Sequence, residues 1–453
     1  MKIASVEKSS AIKGLTMLAL AIMMSVSMWI NCRHRSHMVE RKLDSLGFAA
    51  RNFSDLYPRW LGSRELLLHK RDPYSQTVTQ EIQQGYYGRP IGSENSYVVD
   101  EQRFAYPLYI VFLLAPVVYV PFSVAKLIFI FVLPASAIVT VLVWFKLIGI
   151  DIDRLQKTSV LILVIASLPY ISGLFLQQLS IVVAFFIATA LWCIARDKLL
   201  LSGALFALST IKPQLSFFLI CWTFVWAFSK WQSRKLVIYS FMGFTGVLCA
   251  ASQVLLPGWF AEFIAGLGPY LRYTHGRAGI LVLLGNRGGM LAILFMACIV
   301  SRYVWKIREE DSNSKRFFSA VLLVLTFTDV VVPSVAPHTE VLLLPAYLLF
   351  FKESNTIQKA RRLARSLVLG SWLVVLWPFA TSFLLVLCFY LWSDKLSLKY
   401  WNLPVATNPL VPVVVFAALV PLLRSRATGS ANQDAPNTQR LSDANVGLEN
   451  SGE

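Results

Sequence analysis

The chain has 453 residues, of which 56% are hydrophobic, and its formal net charge at pH 7 is +17. A soluble domain of this length could not cover so many apolar side chains with polar surface, so the composition excludes that class and indicates a bilayer as solvent. The positive charge does not indicate nucleic-acid binding, because lysine and arginine occur in short clusters between apolar runs, as expected for membrane topology.

Apolar runs that can cross a membrane follow one another through the chain, since a spanning helix needs roughly 20 apolar residues. We predict an all-α polytopic membrane protein with about 11 to 13 transmembrane helices. The first run has lysines upstream but no small-x-small cleavage pattern after it, so we interpret it as a retained anchor. The predicted spans are 14–31, 104–121, 124–145, 158–173, 179–195, 199–211, 213–229, 236–256, 279–305, 317–333, 340–351, 366–391 and 407–423.

Basic clusters occur at every second loop, which places those loops and the N-terminus in the cytoplasm. Thirteen crossings cannot leave both termini there, so one segment is re-entrant, broken or merged. The prolines at 107, 116, 121 and 134 point to 104–175 as that segment. We divide the chain into a cytoplasmic segment with the first transmembrane helix (1–31), an external loop (32–103), a transmembrane bundle (104–424) and a disordered cytoplasmic tail (425–453).

The first external loop contains a segment, 51–74, that mixes aromatic, basic and apolar residues at helical spacing. We predict an interfacial helix here, with Tyr57 and Trp60 as anchors in the headgroup layer, and a second helix near 78–87. Asp55 stands just before the first of these helices. Its position alone favours an N-cap, and a catalytic carboxylate is the alternative.

Several short motifs, taken in order, resemble those of the integral-membrane C-type glycosyltransferases, most closely glycosyltransferase family 87. That family includes α-mannosyltransferases that use polyprenyl-phosphate-mannose. Each motif is short, and their order over positions 50–350 carries the resemblance. The motifs are the Asp55 loop, Asp72-Pro73-Tyr74, Arg103-Phe104-Ala105-Tyr106-Pro107, Gln177-Gln178, the run from Gly203 to Lys212-Pro213, and Pro337-His338.

The resemblance implies a C-type architecture with its active site on the periplasmic or extracellular side of the plasma membrane. It also implies that Asp55 takes the proton of an acceptor hydroxyl while that oxygen attacks C1 of a hexose, with mannose favoured and arabinose open. Polyprenyl phosphate is then the leaving group, and the acceptor is a lipid-linked sugar or a glycan. One base and a clamp of cations suffice for this transfer, because a phosphate whose negative charge is stabilised by cations can leave without a general acid.

Cationic side chains on the predicted external loops are the candidates for this clamp. Lys212, beside a proline, is either a phosphate contact or a snorkelling lysine. His338 is either a phosphate contact or a hydrogen-bonded loop residue. A basic group in GPYLRYTHGRAG binds either donor phosphate or lipid headgroups, and Arg287 follows a glycine-rich break. The candidates are Lys212, Arg272, His275, Arg277, Arg287 and His338.

The remaining motif residues are expected to position the acceptor or the substrate. Asp100, together with Glu101, is an acceptor-side or metal candidate by its place near the second predicted span, or the pair only balances Arg103. The full set is Asp72, Tyr74, Asp100, Arg103, Tyr106, Gln177 and Gln178.

Two patterns resemble metal sites, and we adopt neither. Asp151 and Asp153 form a D-x-D pair, which a loop surface or a helix N-terminus also explains. His34 and His37 have helical spacing, but two ligands do not make a site. We therefore predict a glycosyltransferase without metal, cofactor or nucleic-acid partner.

Two other functions stay open at this point. A lipid or polysaccharide transporter or flippase would also explain cations such as Lys212 and Arg287 at membrane depth. An O-antigen-type ligase or polymerase is disfavoured, because its large external loop comes late in the chain, whereas here the large loop comes first.

Overall fold

The computed structural model describes residues 2–92, 100–273, 276–333, 336–359, 362–392 and 399–423, with side chains described outside 2–11, 269–273, 356 and 359. All regular structure in these ranges is helical. The α-helices are α1 (Lys2–Ser45), α2 (Leu56–His69), α3 (Gln76–Tyr87), α4 (Ile110–Leu114), α5 (Phe122–Ile148), α6 (Arg154–Ala166), α7 (Leu168–Phe175), α8 (Ser180–Ala195), α9 (Leu199–Ser209), α10 (Pro213–Ser229), α11 (Trp231–Leu255), α12 (Trp259–Tyr273), α13 (Gly279–Lys306), α14 (Lys315–Val331), α15 (Leu344–Lys352), α16 (Ser354–Lys359) and α17 (Arg362–Leu391).

Six helical segments in the described ranges are long and apolar enough to cross a membrane, and the pair α6 and α7, bent by 57° at its break, can form a seventh. Many large apolar side chains, such as Phe131 and Leu373, are exposed on these helices. Such surfaces suit hydrocarbon as solvent. The prediction of an all-α polytopic membrane protein is confirmed, and the predicted tail 425–453 lies outside the described residues. The six segments are Ile12–Ser45, Phe122–Ile148, Trp231–Leu255, Gly279–Lys306, Arg362–Leu391 and Leu403–Leu423.

The predicted span 104–121 does not form a continuous helix. It contains the five-residue helix α4 and a 3-10 turn at Ala115–Val117. Prolines at 107, 116 and 121 explain the difference, because proline lacks the N–H that a helix interior needs. Side chains of α2 donate hydrogen bonds to backbone carbonyls of this irregular segment. Trp60 Nε1 donates to Val117 O at 2.9 Å and Arg64 Nη1 to Val118 O at 2.7 Å. The irregular segment is thus held by α2.

The predicted pair of loop helices corresponds to α2 and α3, but α2 is more deeply packed than an interfacial helix. Tyr57 and Trp60 are 7% and 6% exposed and lie against Phe122 of α5, with ring centroids 4.9 and 5.4 Å away. The expectation that these two side chains anchor the headgroup layer is therefore wrong. Their rings instead pack α2 against α5 of the bundle.

Helices α9 and α11 approach closely at Gly203. A Cβ at this position would lie 2.5 Å from Val237 O and 2.6 Å from Ser240 Cβ. Because backbone cannot move aside cheaply, we expect Gly203→Ala to destabilise the protein by about 1–3 kcal/mol. Thermal unfolding in detergent should show a lower melting temperature than for Gly246→Ala on α11, where a Cβ would meet nothing within 4 Å. Equal melting temperatures would contradict this account of the α9–α11 contact.

Candidate active site

Asp55 occupies the N-terminal position of α2 but does not cap it with its side chain. The Tyr57 N–H, which a capping side chain at Asp55 could serve, donates to Ser54 O at 3.0 Å, and the Leu56 N–H donates to Ser54 Oγ at 3.2 Å. The Asp55 carboxylate instead accepts a hydrogen bond from Gln178 Nε2. The N-cap interpretation of the carboxylate is thus wrong, and the group is turned toward a second loop of the chain.

That second loop, at 176–178, fixes the backbone around Asp55. The Asp55 N–H donates to Leu176 O at 2.9 Å, and Ser54 Oγ donates to Gln177 Oε1 at 2.8 Å. Gln177 Nε2 in turn donates to Lys126 O on α5 at 2.8 Å. Gln177 has a φ of +53°, a left-handed conformation that costs a non-glycine residue on the order of 1 kcal/mol. Gln177 therefore positions the loop, whereas Gln178 makes the contact with Asp55.

Lys212 extends this contact into a hydrogen-bonded chain. Its Nζ donates to Gln178 Oε1 at 2.6 Å, so one amide joins the ammonium to the Asp55 carboxylate. The lysine lies in the turn between α9 and α10 and is 7% exposed. Tyr109 Oη holds that turn by donating to Thr210 O at 3.0 Å. The snorkelling alternative is wrong, because the ammonium points into the site.

Burial lowers the pKa of the Lys212 ammonium to about 7, and the positive charge of Arg59 contributes to the lowering, whereas Asp55 opposes it. The charge of this lysine is therefore sensitive to pH near neutrality. An anionic ligand beside it would favour the protonated form.

Arg59 lies beside Asp55 and Tyr106, although none of the sequence motifs includes it. Its Nη1 donates to the Asp55 carbonyl one turn back on α2, and its guanidinium lies 4.7 Å from the ring centroid of Tyr106. Lys212 Nζ lies 5.8 Å from the same ring. Both cations thus lie near the ring of Tyr106, whose quadrupole stabilises positive charge. The i+4 spacing from Asp55 was the signal that could have identified Arg59.

His338 joins this group from a distant part of the chain. It lies in the 3-10 helix Pro337–Leu343, and its Cβ is 3.6 Å from the place where a Cβ on Gly173 would lie. Burial lowers the pKa of His338, and the nearby charges of Lys212 and Arg59 lower it further. The imidazole is therefore neutral and able to donate one hydrogen bond.

The predicted positioning residues near Tyr106 form a supporting layer. Tyr74 Oη donates to Tyr106 O at 2.6 Å, and its ring meets Phe104 edge-on at 5.2 Å. Asp72 Oδ1 accepts from Tyr74 N at 2.9 Å, which closes the turn before α3. These contacts hold Tyr106 beside the cations Arg59 and Lys212.

Asp100 and Arg103 make contacts that hold the segment leading to Tyr106. The Asp100 carbonyl accepts a hydrogen bond from Tyr87 Oη at 2.7 Å. Arg103 pairs with Glu101 at 3.1 Å, so the carboxylate that balances this arginine is Glu101. Both residues thus tie the segment after 100 to neighbouring structure.

Arg277 and Arg287, two further cation candidates, are not brought to Asp55. Arg277 is exposed before α13, and Arg287 is exposed on α13 just after a kink at Gly285, where φ is +69°. None of the hydrogen bonds or ion pairs between described side chains joins either arginine to the Asp55 group. The side chain of Arg272, and His275 as a whole, lie outside the described residues.

The two patterns that resemble metal sites have structural explanations. Asp153 Oδ1 caps α6 by accepting from Gln156 N at 2.8 Å. His37 contacts Glu40 on the same helix, 3.2 Å apart. Within the part of the chain that is described, no three His, Cys, Asp or Glu side chains form a group that could hold a metal.

The family model for glycosyltransferase family 87 matches residues 104–334, which is 231 of the 453 residues. The matched stretch includes Tyr106, Gln178 and Lys212, whereas Asp55 precedes it and His338 follows it. No curated protein and no solved structure matches the chain. With a helical membrane bundle and a match to just over half its length, the chain belongs to glycosyltransferase family 87 and is a membrane glycosyltransferase.

Proposed function

We propose that this glycosyltransferase moves a hexose, with mannose favoured, from a polyprenyl-phosphate-linked donor to a lipid-linked or glycan acceptor. The observation that carries the proposal is the hydrogen-bonded chain from Lys212 through Gln178 to Asp55. It holds a carboxylate base and a cation at a fixed distance from each other. Transfer from a phosphate donor needs these two groups on either side of the sugar C1.

Asp55 is the proposed general base. The acceptor hydroxyl gives its proton to the carboxylate while its oxygen forms a bond to C1, and the bond from C1 to the phosphate oxygen breaks. The hydrogen bond from Gln178 Nε2 fixes the orientation of the carboxylate. The electron pair of the broken bond goes to the departing phosphate.

Lys212 and Arg59 are the proposed clamp for that phosphate, with His338 as a neutral donor beside them. Hydrogen bonds from cations to phosphate oxygens are stronger than neutral ones, and in a buried site they act at low dielectric. Both cations are at least nine-tenths buried, so little water competes for the phosphate. Charge that develops on the leaving group is thus stabilised without an acid.

The direction of the site in the membrane follows from α10. Lys212 precedes this helix of 17 residues, whereas Lys230, Arg234 and Lys235 follow it. A helix of that length separates its ends by about 25 Å. If the basic cluster lies in the cytoplasm, the site lies on the opposite side. This supports an active site on the periplasmic or extracellular side of the plasma membrane.

The test uses purified full-length protein in proteoliposomes with radiolabelled polyprenyl-phosphate-mannose and a panel of lipid-linked and free glycan acceptors. We expect a new mannosidic bond whose anomeric configuration is inverted relative to the donor, because one base and no protein nucleophile imply a single displacement. GDP-mannose should give no product. Product from GDP-mannose alone, or movement of the carrier without a new glycosidic bond, would overturn the proposal.

A further inference from the structure

An apolar groove of about 480 Å³ runs along α1 on the membrane-facing surface of the bundle, and no residue of the Asp55 group lines it. Seven of its nine lining residues belong to α1, and α6 and α17 contribute Leu163 and Leu376. Ile12 in its wall is 56% exposed, so the groove is open to the surrounding lipid. The hydroxyl of Thr16 donates to Ile12 O within α1 at 2.9 Å. The volume is that of a small-molecule site, roughly 300–1,000 Å³.

The groove exists because three packed helices leave a gap beside one of them. At one end, residues of α1, α6 and α17 share a buried cluster, and Ser382 Oγ of α17 donates to the sulfur of Met28 at 3.3 Å. Toward the start of α1, Gly14 keeps α6 close, since a Cβ there would lie 3.1 Å from Leu155 Cδ1. Leu376 is the only described residue of α17 in the wall. The opening therefore lies between α17 and the pair α1 and α6.

The three helices run in the same direction, so they begin on the same side of the membrane. Leu376, which precedes Ser382 in α17, lines the groove with residues 12–24 of α1, which precede Met28. The contact at Gly14 places the start of α6 level with the start of the apolar part of α1. The basic residues before α1 and α17 place this side in the cytoplasm. The groove therefore lies in the cytoplasmic half of the bilayer.

The cytoplasmic end of the groove is positively charged. Lys13, which is exposed, is the one charged side chain among the described residues that line it. Arg362 and Arg365 are exposed in the first turn of α17, on the same side of the membrane. The start of α6 adds no net charge, since two aspartates accompany Arg154 and Lys157. The groove thus combines an apolar wall with cations at one end only.

We propose that this groove binds one anionic glycerophospholipid of the cytoplasmic leaflet, with its phosphate at Lys13 and an acyl chain along the wall from Ile12 to Met24. These 12 residues of α1 span about 18 Å. That length is close to the depth of one leaflet, which is half of a hydrocarbon core about 30 Å thick. An apolar gap excludes water, so a hydrocarbon chain suits it. Basic pockets between helices at this face bind anionic headgroups.

The carrier lipid of the proposed transfer does not match the charge of this groove. The apolar part of α1 separates Lys13 from Asp55, so a carrier phosphate beside Asp55 lies at the opposite side of the membrane. The phospholipid therefore acts apart from the chemistry. It fills the gap between α17 and the pair α1 and α6, and its expected effect is on the stability of this contact.

The experiment is native mass spectrometry of the full-length protein, delipidated in detergent and titrated with phosphatidylglycerol or with phosphatidylcholine of the same acyl chains. We expect one phosphatidylglycerol per chain, bound at least about tenfold more tightly than phosphatidylcholine. Lys13→Gln should weaken phosphatidylglycerol binding by about fivefold and leave phosphatidylcholine binding unchanged, because one lysine near an anionic lipid contributes roughly that factor. Lys306→Gln, the same change at the end of α13, should keep the parent affinity.

Thr16→Phe tests the place of the acyl chain. Thr16 is exposed, so the larger side chain enters the groove without displacing packed neighbours. We expect it to weaken the binding of both lipids at least about tenfold, whereas Leu15→Phe, 58% exposed and outside the groove, should bind them as the parent does. Phosphatidylglycerol should raise the melting temperature in detergent by about 3 °C in the parent and not in Thr16→Phe.

Equal affinity of the parent for the two lipids would overturn the proposal. Phosphatidylglycerol binding that persists undiminished in folded Thr16→Phe would also overturn it, as would a co-purified polyprenyl phosphate that is lost in that variant. The melting temperature of the parent with and without phosphatidylglycerol gives a measurement that does not depend on any variant folding. Neither measurement uses a sugar donor, so the result is independent of the proposed transfer reaction.

Discussion

Asp55→Asn is expected to lower kcat for sugar transfer by about 10³-fold while leaving the KM for the donor nearly unchanged. The asparagine amide has the size of the carboxylate and can still contact Gln178. It cannot take the proton of the acceptor hydroxyl. The loss therefore falls on the chemical step. Initial rates at saturating donor and acceptor measure it, with the melting temperature as the check that the protein is folded.

Asp44→Asn is the matched control for this substitution. Asp44 is exposed at the end of α1, also on the N-terminal side of α2, so the same chemical change there should leave kcat within error of the parent. If folded Asp55→Asn transfers sugar at the parent rate, Asp55 is not the base. If Asp44→Asn loses activity equally, the effect is not specific to the site.

Lys212→Met is expected to lower kcat by about 10²-fold to 10³-fold and to weaken donor binding. The change removes a cation from the leaving phosphate and the donor to Gln178 Oε1. The Gln178 amide then loses the contact that fixes its orientation, so the hydrogen bond that orients the Asp55 carboxylate is weakened. Steady-state kinetics with varied donor concentration separate the two effects.

The pH dependence gives a further readout for Lys212. Its pKa is about 7, so the ammonium is charged below that pH and loses its proton above it. We expect kcat/KM to fall as the pH rises past 7, and the fall to move to higher pH in Lys212→Arg. Lys230→Met, at the other end of α10, should keep the parent rate and profile. Parent kcat in folded Lys212→Met would exclude it from the clamp.

The sequence predicts the membrane class well because lipid imposes one simple demand, an apolar run for each span. It fails at 104–121, where the apolar content is high but three prolines interrupt the helix. A hydropathy average does not register that proline lacks a backbone N–H, whereas helix formation depends on that donor. Tyr57 and Trp60 were misassigned for a related reason, since the same side chains suit a headgroup layer and a helix contact.

The site was predicted in part by ordered motifs and in part missed. Asp55, Gln178, Lys212 and His338 lie far apart in the chain, and only the resemblance to a family placed them together before the structure did. Arg59 was missed because its role depends on the face of Tyr106, a contact that spacing does not encode. Of the four candidates whose side chains the structure describes, Lys212 and His338 are brought beside Asp55, whereas Arg277 and Arg287 are exposed elsewhere.

The Asp55 group draws its members from four places between α2 and the helix after Pro337. During synthesis, Asp55, Gln178 and Lys212 are made in the first half of the chain, whereas His338 is added after about three quarters of it. A partly made protein therefore lacks the last member of the group. On the proposed mechanism, the transferase therefore becomes competent only when the elements from α14 onward are in place.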